Sequence, residues 1–170
     1  RDEAAARAAM LSVSTYDIAL DLTGSETFRS RTTVRFTCSR PGADTFIDLI
    51  APTVLEVVLN GRSLDLAAVV SEGRIALPGL AAENELTVVA DCAYMNTGEG
   101  LHRFVDPVDQ RVYLYTQFEV PDARRVYTTF EQPDLKARFS FTVTAPAHWQ
   151  VVSNSPTPQP EPTAEGTATW

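Results

Sequence analysis

Apolar and polar residues alternate with a period of two in several stretches of this 170-residue chain, and this pattern limits its fold most strongly. The alternation is clearest in residues 16–22, 33–38 and 137–144. Successive side chains of an extended strand point to opposite faces of a sheet, so these stretches predict half-buried strands. Gly24 lies between the first two stretches, which therefore predict a hairpin.

Turn-forming residues separate further short stretches of strand type. Asn60-Gly61 follows the apolar stretch 54–59 and is a strong hairpin signal, because both turn positions require positive φ. Many short strands separated by turns predict an all-β protein, either a sandwich or a barrel-like form. The remaining predicted strands are residues 46–50, 75–77, 86–94, 112–118 and 149–153.

Only two short helices are expected beside these strands. Residues 1–10 are rich in Ala, Arg and Glu, which are good helix formers. A second helix is predicted to start near Pro121 and to cover residues 123–126, because proline suits the first helical turn. The proline-rich segment 156–163 should be extended, and residues 167–170 have the pattern of one more strand.

The charge balance argues against some classes of partner. The chain has 22 acidic and 14 basic residues, which gives a formal net charge of −8. Nucleic acids and anionic membrane surfaces require a basic surface, so neither is expected as a partner. No run approaches the roughly 20 apolar residues of a transmembrane helix. The length fits a single domain of about 100–200 residues.

The histidines and cysteines form no recognisable metal or redox motif. His102 and His148 lie 46 residues apart without an H-E-x-x-H motif, so no zinc site is expected within this chain. Cys38 and Cys92 fall on the apolar faces of their predicted strands, which predicts two buried thiols. A disulfide between neighbouring strands is the alternative, and it depends on geometry that the sequence does not contain.

Gln117 and Glu119 are the sharpest candidates for a binding site. Two residues apart on an extended strand, they are predicted to leave the same face near the point where Pro121 ends the strand. An amide and a carboxylate there could hold a ligand with a positive amine through a charge-assisted hydrogen bond. From the residues alone, a solvated strand face, or an ion pair of Glu119 with Arg124 or Arg125, is the favoured alternative.

Several motifs around these two residues resemble a known family. They are GLHR at 100–103, YLYTQFE at 113–119, DARR at 122–125 and FEQPDLKA at 130–137. Together with the strand that opens at Tyr16-Asp17 and the segment 152–156, they resemble the N-terminal domain of the aminopeptidase N family. These are zinc metallopeptidases of the gluzincin type, and the actinobacterial-type enzymes are the most similar.

The resemblance implies a saddle-like antiparallel β domain that precedes a catalytic domain. The zinc motif and the G-x-M-E-N motif of the family belong to that catalytic domain, and neither occurs here. By resemblance, Glu119 binds the free α-amine of the substrate and Gln117 lines the pocket for its first side chain. The chain departs from the family at residues 131–133, where Glu-Gln-Pro replaces the usual Asp-Glu-Pro.

These expectations combine into one interpretation and its alternatives. Residues 1–170 are expected to form a single N-terminal β domain of a longer cytoplasmic aminopeptidase, whose own catalytic domain binds zinc and whose substrates are peptide N-termini. The 170 residues alone are expected to be inactive. The alternatives are a stand-alone β-sandwich interaction module, for carbohydrate or protein, and a non-catalytic scaffold relative that reuses the same domain.

Overall fold

The computed structural model of the chain describes residues 2–164 and 166–170 and consists mainly of strands. The first half contains α1 (Asp2–Met10), β1 (Leu11–Asp21), β2 (Thr27–Cys38), β3 (Thr45–Asp48), β4 (Thr53–Leu59), β5 (Arg62–Ser63), α2 (Leu66–Val69), β6 (Val70–Ser71) and β7 (Arg74–Leu77). The second half contains β8 (Glu83–Ala93), β9 (Gly100–Val105), β10 (Val112–Gln117), a 3₁₀ helix (Ala123–Arg125), β11 (Arg138–Pro146), β12 (Glu161–Pro162) and β13 (Thr167–Thr169).

The strands form one large sheet, one small sheet and one hairpin. The large sheet has eight strands in the order β12-β13-β11-β1-β2-β8-β4-β5, and the small sheet has the order β3-β7-β6. Strands β9 and β10 pair only with each other. The sheets remain open, so the predicted all-β fold with short helices is confirmed in its sandwich-like form. All pairings are antiparallel except that of β1 with β11, which is parallel.

The period-two alternation corresponds directly to burial in the central strands. Every second side chain of β2, from Phe28 to Cys38, is buried, and β8 follows the same pattern. In β1 the alternation is interrupted once, by a bulge between Val13 and Thr15. The opposite face of β2 carries arginines that pair with acidic residues of the neighbouring strands, as Arg35 does with Asp17 and Glu85. One face of the large sheet therefore carries solvent-exposed ion pairs between neighbouring strands, and the other face packs into the core.

The small sheet contributes its side chains to the same core. Ile47 of β3 and Ile75 of β7 are fully buried in one cluster with Val34 and Phe36 of the large sheet. The ring of Phe36 meets the edge of the Phe130 ring at a centroid distance of 5.3 Å. This places the segment around residue 130 against the core.

Local turn chemistry agrees with the sequence at Asn60-Gly61. Both residues have positive φ, 54° and 76°, and they connect β4 to β5 as predicted. The Asn60 side chain also accepts a hydrogen bond from the Glu85 backbone N–H at 2.8 Å. Its side-chain amide donates to Asn84 at 3.0 Å, so the turn is tied to the start of β8.

The two cysteines are free and buried, which confirms the predicted thiols. Cys92 lies opposite Phe28 in the pairing of β2 with β8, whereas Cys38 is ten residues further along β2. Ten residues of extended strand span about 33 Å, so this register excludes a disulfide between the two cysteines. Burial raises the pKa of the Cys92 thiol to about 12.

The predicted strand at residues 149–153 is wrong. Trp149 donates its backbone N–H to the Pro146 carbonyl in a turn, and the residues that follow have no strand pairing. The edge of β11 is instead occupied by β13, with Pro146 opposite Thr167. Residues 167–169 therefore form a short strand between β11 and the edge strand β12, which agrees with the strand predicted for residues 167–170.

No helix in the described residues is both long enough and apolar enough to cross a membrane.

Candidate functional site

The hairpin of β9 and β10 leads to the two candidate site residues. Its pairing sets Tyr115 opposite His102 and Gln117 opposite Gly100. Gly100 has a φ of +63°, and a Cβ atom there would lie 2.9 Å from the Cβ of Arg125. Glycine is therefore required at this position, because it lets the 3₁₀ helix approach the end of the hairpin closely.

Gln117 ends β10, and Glu119 lies beyond the strand. The prediction that Glu119 lies on the strand is therefore wrong, because β10 ends at Gln117 and the chain turns between residues 117 and 122. Gln117 instead caps this turn, since its side-chain oxygen accepts the Glu119 backbone N–H at 2.9 Å. Both side chains are exposed and remain near each other at the hairpin end.

The turn after Glu119 is defined by backbone hydrogen bonds. The Asp122 N–H donates to the Glu119 carbonyl at 2.9 Å, and the Arg125 N–H donates to the Asp122 carbonyl at 3.1 Å. The Val120–Pro121 peptide bond within it is cis. The predicted helix near residues 123–126 exists as the 3₁₀ helix over Ala123–Arg125.

Glu119 does not form the ion pair with Arg124 or Arg125 that was one alternative to a binding role, whereas its exposure agrees with the other alternative, a solvated surface. Arg125 contacts Asp122 at 2.8 Å and Glu99 at 3.6 Å, and Arg124 reaches the Asp48 carboxylate at 3.9 Å. Within residues 2–164 and 166–170, no basic side chain lies within 4 Å of the Glu119 carboxylate. The carboxylate is thus available to an external cation.

An aromatic cluster lies beside this turn. The Phe118 ring meets the buried Tyr127 ring edge-on at 5.6 Å, and Tyr127 in turn contacts Phe139 and Phe141 of β11. Phe139 and Phe141 are 47% and 43% exposed, although they face the same side of the large sheet as the buried Tyr16 and Ile18. The core-facing side of β11 is therefore only partly covered, and both phenylalanine rings remain accessible to solvent.

A cavity of about 250 Å³ opens between this cluster and the turn. Val120, Tyr127, Glu131 and Phe139 are among its lining residues. Burial is the main cause that raises the pKa of Glu131, and burial likewise raises the pKa of Tyr127. Twelve of its thirteen lining residues lie between residues 120 and 139, and seven of them belong to the FEQPDLKA motif. The motif alone did not predict a cavity, because an opening depends on how this segment packs against Tyr16 and β11.

The two histidines belong to different parts of the fold. His102 stacks on Tyr115 at a centroid distance of 4.7 Å, and its Nδ1 accepts the Gly98 N–H at 3.1 Å. His148 is exposed in the turn after β11. Over the described ranges, no three His, Cys, Asp or Glu side chains gather as a candidate metal site.

The fold is a β domain with two sheets and a separate hairpin, and the exposed Glu119 carboxylate at the hairpin end has no basic partner among the described residues. The chain belongs to the peptidase M1 N-terminal domain family, which matches residues 12–170. It is similar to aminopeptidase N of Streptomyces lividans, at 65% identity over 165 residues. That match covers 95% of this chain and 19% of the relative.

More distant proteins agree with this assignment. Aminopeptidase N of Bos taurus is 25% identical over 84% of this chain and 17% of its own length. The crystal structure of an M1 zinc metallopeptidase from Deinococcus radiodurans has the same fold, with a TM-score of 0.71 at 18% identity over 94% of this chain and 38% of that chain. The chain thus spans about a fifth of the length of the curated relatives.

Proposed function

We propose that this chain is the N-terminal β domain of a zinc-dependent aminopeptidase, a hydrolase that releases amino acids from the N-termini of peptides. The identity of 65% to a protein named aminopeptidase N supports the class of activity. The exposed Glu119 carboxylate, which has no basic partner among the described residues, is the observation that supports the site.

In this proposal, the Glu119 carboxylate accepts a hydrogen bond from the α-ammonium group of the substrate. A hydrogen bond between two charged groups is stronger than a neutral one and has a defined direction. It favours chain ends over internal peptide bonds, because only an N-terminal residue carries the ammonium group. It also holds the first peptide bond at a fixed position relative to the catalytic groups.

Gln117 would line the pocket for the first side chain of the substrate. Its oxygen is already engaged by the Glu119 backbone N–H, so its amide nitrogen is the group left to face a ligand. The same bond couples the two residues, because a shift of Gln117 would also move the backbone that carries Glu119.

Residues 1–170 would form a single domain, and a catalytic domain of the same parent chain would bind the zinc. Zinc bound there supplies an activated water for hydrolysis. The part proposed for this domain is substrate binding, so the isolated 170 residues are expected to be inactive. The proposed compartment is the cytoplasm, and two unpaired buried cysteines are compatible with a reducing environment.

The test is Glu119→Gln in the full-length enzyme that carries this domain. Removing one charged hydrogen bond costs about 1.5–3 kcal/mol, so kcat/KM for leucyl p-nitroanilide should fall about ten- to a hundred-fold. Thermal unfolding should change by no more than about 0.5 kcal/mol, because the side chain is exposed. The matched control is Glu26→Gln, an exposed carboxylate in the turn between β1 and β2.

Unaltered kinetics in Glu119→Gln, together with a lower melting temperature, would make Glu119 a structural residue. Equal losses in Glu119→Gln and Glu26→Gln would also contradict the proposed role, since a general change of surface charge would then explain both.

A further inference from the structure

Arg124 connects the Glu119 turn to the buried part of the domain. Its Nε atom donates to the Pro121 carbonyl at 3.0 Å, two residues after Glu119. The same turn is closed by the hydrogen bond from the Asp122 N–H to the Glu119 carbonyl. A single side chain therefore holds the far end of the turn from which the Glu119 carboxylate projects.

The other end of the Arg124 guanidinium group points towards a buried carboxylate. Its Nη1 atom lies 3.9 Å from Oδ1 of Asp48, a residue that is only 4% exposed. The backbone of Arg124 is held as well: its carbonyl accepts the Ile50 N–H at 2.7 Å, and its N–H donates to the Glu131 carboxylate at 2.7 Å. Arg124 is thus held by two other segments, residues 48–50 and Glu131.

Asp48 is itself held in place without the help of Arg124. Its carboxylate contacts Arg7 at 3.5 Å and accepts the Glu131 N–H at 3.2 Å. Its backbone exchanges two hydrogen bonds with Thr129, at 2.9 and 3.1 Å. Asp48 is therefore a rigid anchor at the end of β3. A ligand-binding carboxylate such as Glu119 must be held in a precise position, and this requires support from a rigid element.

The neighbouring Arg125 makes contacts of a different kind. Its guanidinium group reaches the Asp122 and Glu99 side chains, at 2.8 and 3.6 Å. Neither contact of this guanidinium group involves the Pro121 carbonyl or the Asp48 carboxylate. Of the two adjacent arginines, only Arg124 links the backbone next to Glu119 with Asp48.

We propose that Arg124 is a positioning residue that fixes the Glu119 turn for recognition of the substrate α-amine, with Asp48 as its buried anchor. This inference rests on the proposed function of Glu119. Arginine suits the task because its planar guanidinium group can donate a hydrogen bond to the Pro121 carbonyl from Nε while Nη1 of the same charged group lies 3.9 Å from the Asp48 carboxylate. A lysine keeps the positive charge but has a single donor nitrogen, which cannot make both contacts at once.

The experiment measures how strongly the α-amine contributes to binding in the full-length enzyme. Two inhibitors that differ only by this amine, leucine hydroxamate and 4-methylpentanoyl hydroxamate, are compared through the ratio of their inhibition constants. The ratio isolates the amine, because a general loss of folded or active enzyme affects both compounds equally. It is measured for Glu119→Gln, Arg124→Lys, Arg124→Gln and the control Arg35→Gln.

Glu119→Gln should lower the preference for the amine at least ten-fold. Arg124→Lys and Arg124→Gln should lower it about three- to ten-fold, with Arg124→Lys as the deciding variant if Arg124→Gln does not fold. Arg35→Gln loses bonds to Asp17 and Glu85 on the outer face of the large sheet, so it should leave the ratio unchanged. Hydrogen exchange at the Asp122 amide should accelerate in the Arg124 variants only.

The possible failures are distinguishable. If Glu119→Gln removes the preference while both Arg124 variants keep it, the positioning role of Arg124 is wrong and the proposed function stands. If Glu119→Gln leaves the preference unchanged, the proposed site itself is wrong and the role of Arg124 falls with it.

Discussion

Strands β2 and β10 both form antiparallel pairings with their neighbours, yet they lie in very different surroundings. In β2 every second side chain is buried against the small sheet and its flanking segments. In β10 no side chain is fully buried, and Tyr115 is 51% exposed. The comparison contrasts a closely packed core strand with a hairpin strand that keeps most of its side chains exposed, although Leu101 of β9 still belongs to the core cluster.

The same division applies to the ion pairs. The pair of Arg35 and Asp17 is short, 2.6 Å, but half exposed on the outer face of the large sheet. The pair of Arg7 and Asp48 is longer, 3.5 Å, and almost fully buried. Solvent screens the first pair, whereas removal of one partner from the second leaves an uncompensated buried charge. Burial, more than distance, determines what each pair contributes.

The largest expected effect is the loss of a core aromatic ring. Phe36→Ala should lower the free energy of unfolding by about 3–5 kcal/mol, because a fully buried phenyl ring leaves a cavity. Tyr115→Ala on the hairpin should cost less than about 1 kcal/mol. Urea unfolding of the two variants measures the contrast, and similar losses in both would mean that the hairpin belongs to the core.

A smaller effect is expected from the buried anchor. Asp48→Asn should lower the free energy of unfolding by about 3 kcal/mol, because Arg7 then remains buried without a counter-charge. Asp17→Asn should cost less than about 1 kcal/mol despite its shorter bond to Arg35. Equal losses in chemical denaturation would show that distance, rather than burial, controls these pairs.

The smallest effect concerns the half-buried Glu131 and has the opposite sign. Burial raises its pKa above the ordinary value of 4.5, and the nearby Asp48 acts in the same direction. The folded state therefore binds this proton more tightly than the unfolded state, so stability decreases as the pH rises above about 4.5. Glu131→Gln should raise the free energy of unfolding at pH 7 by at most about 1 kcal/mol.

This gain should vanish below about pH 4, where the carboxyl group is protonated in both the folded and the unfolded state. The control is Glu85→Gln, which removes an exposed partner of Arg35 and should produce no gain at pH 7. A loss of stability in Glu131→Gln at pH 7 would mean that its bond to the Arg124 N–H outweighs the cost of burial.

The sequence by itself determined the strands whose patterns are local. Alternation located β1, β2 and β8 and the burial of both cysteines, because a strand with one buried face must place apolar residues at every second position. Asn60-Gly61 located its turn, because few residues accept positive φ at both positions. The motifs between residues 100 and 137 were sufficient to indicate the family.

Only the tertiary structure decided what covers each face and what lies beside each charge. Phe139 and Phe141 alternate as cleanly as the residues of β2, yet nothing in the described chain covers them fully. The parallel pairing of β1 with β11, the pairing of β13 with β11 and the position of Arg124 between Pro121 and Asp48 join residues far apart in the chain. A pattern of neighbouring residues reports the local backbone period, whereas burial and ion pairing depend on which distant segments the folded chain brings together.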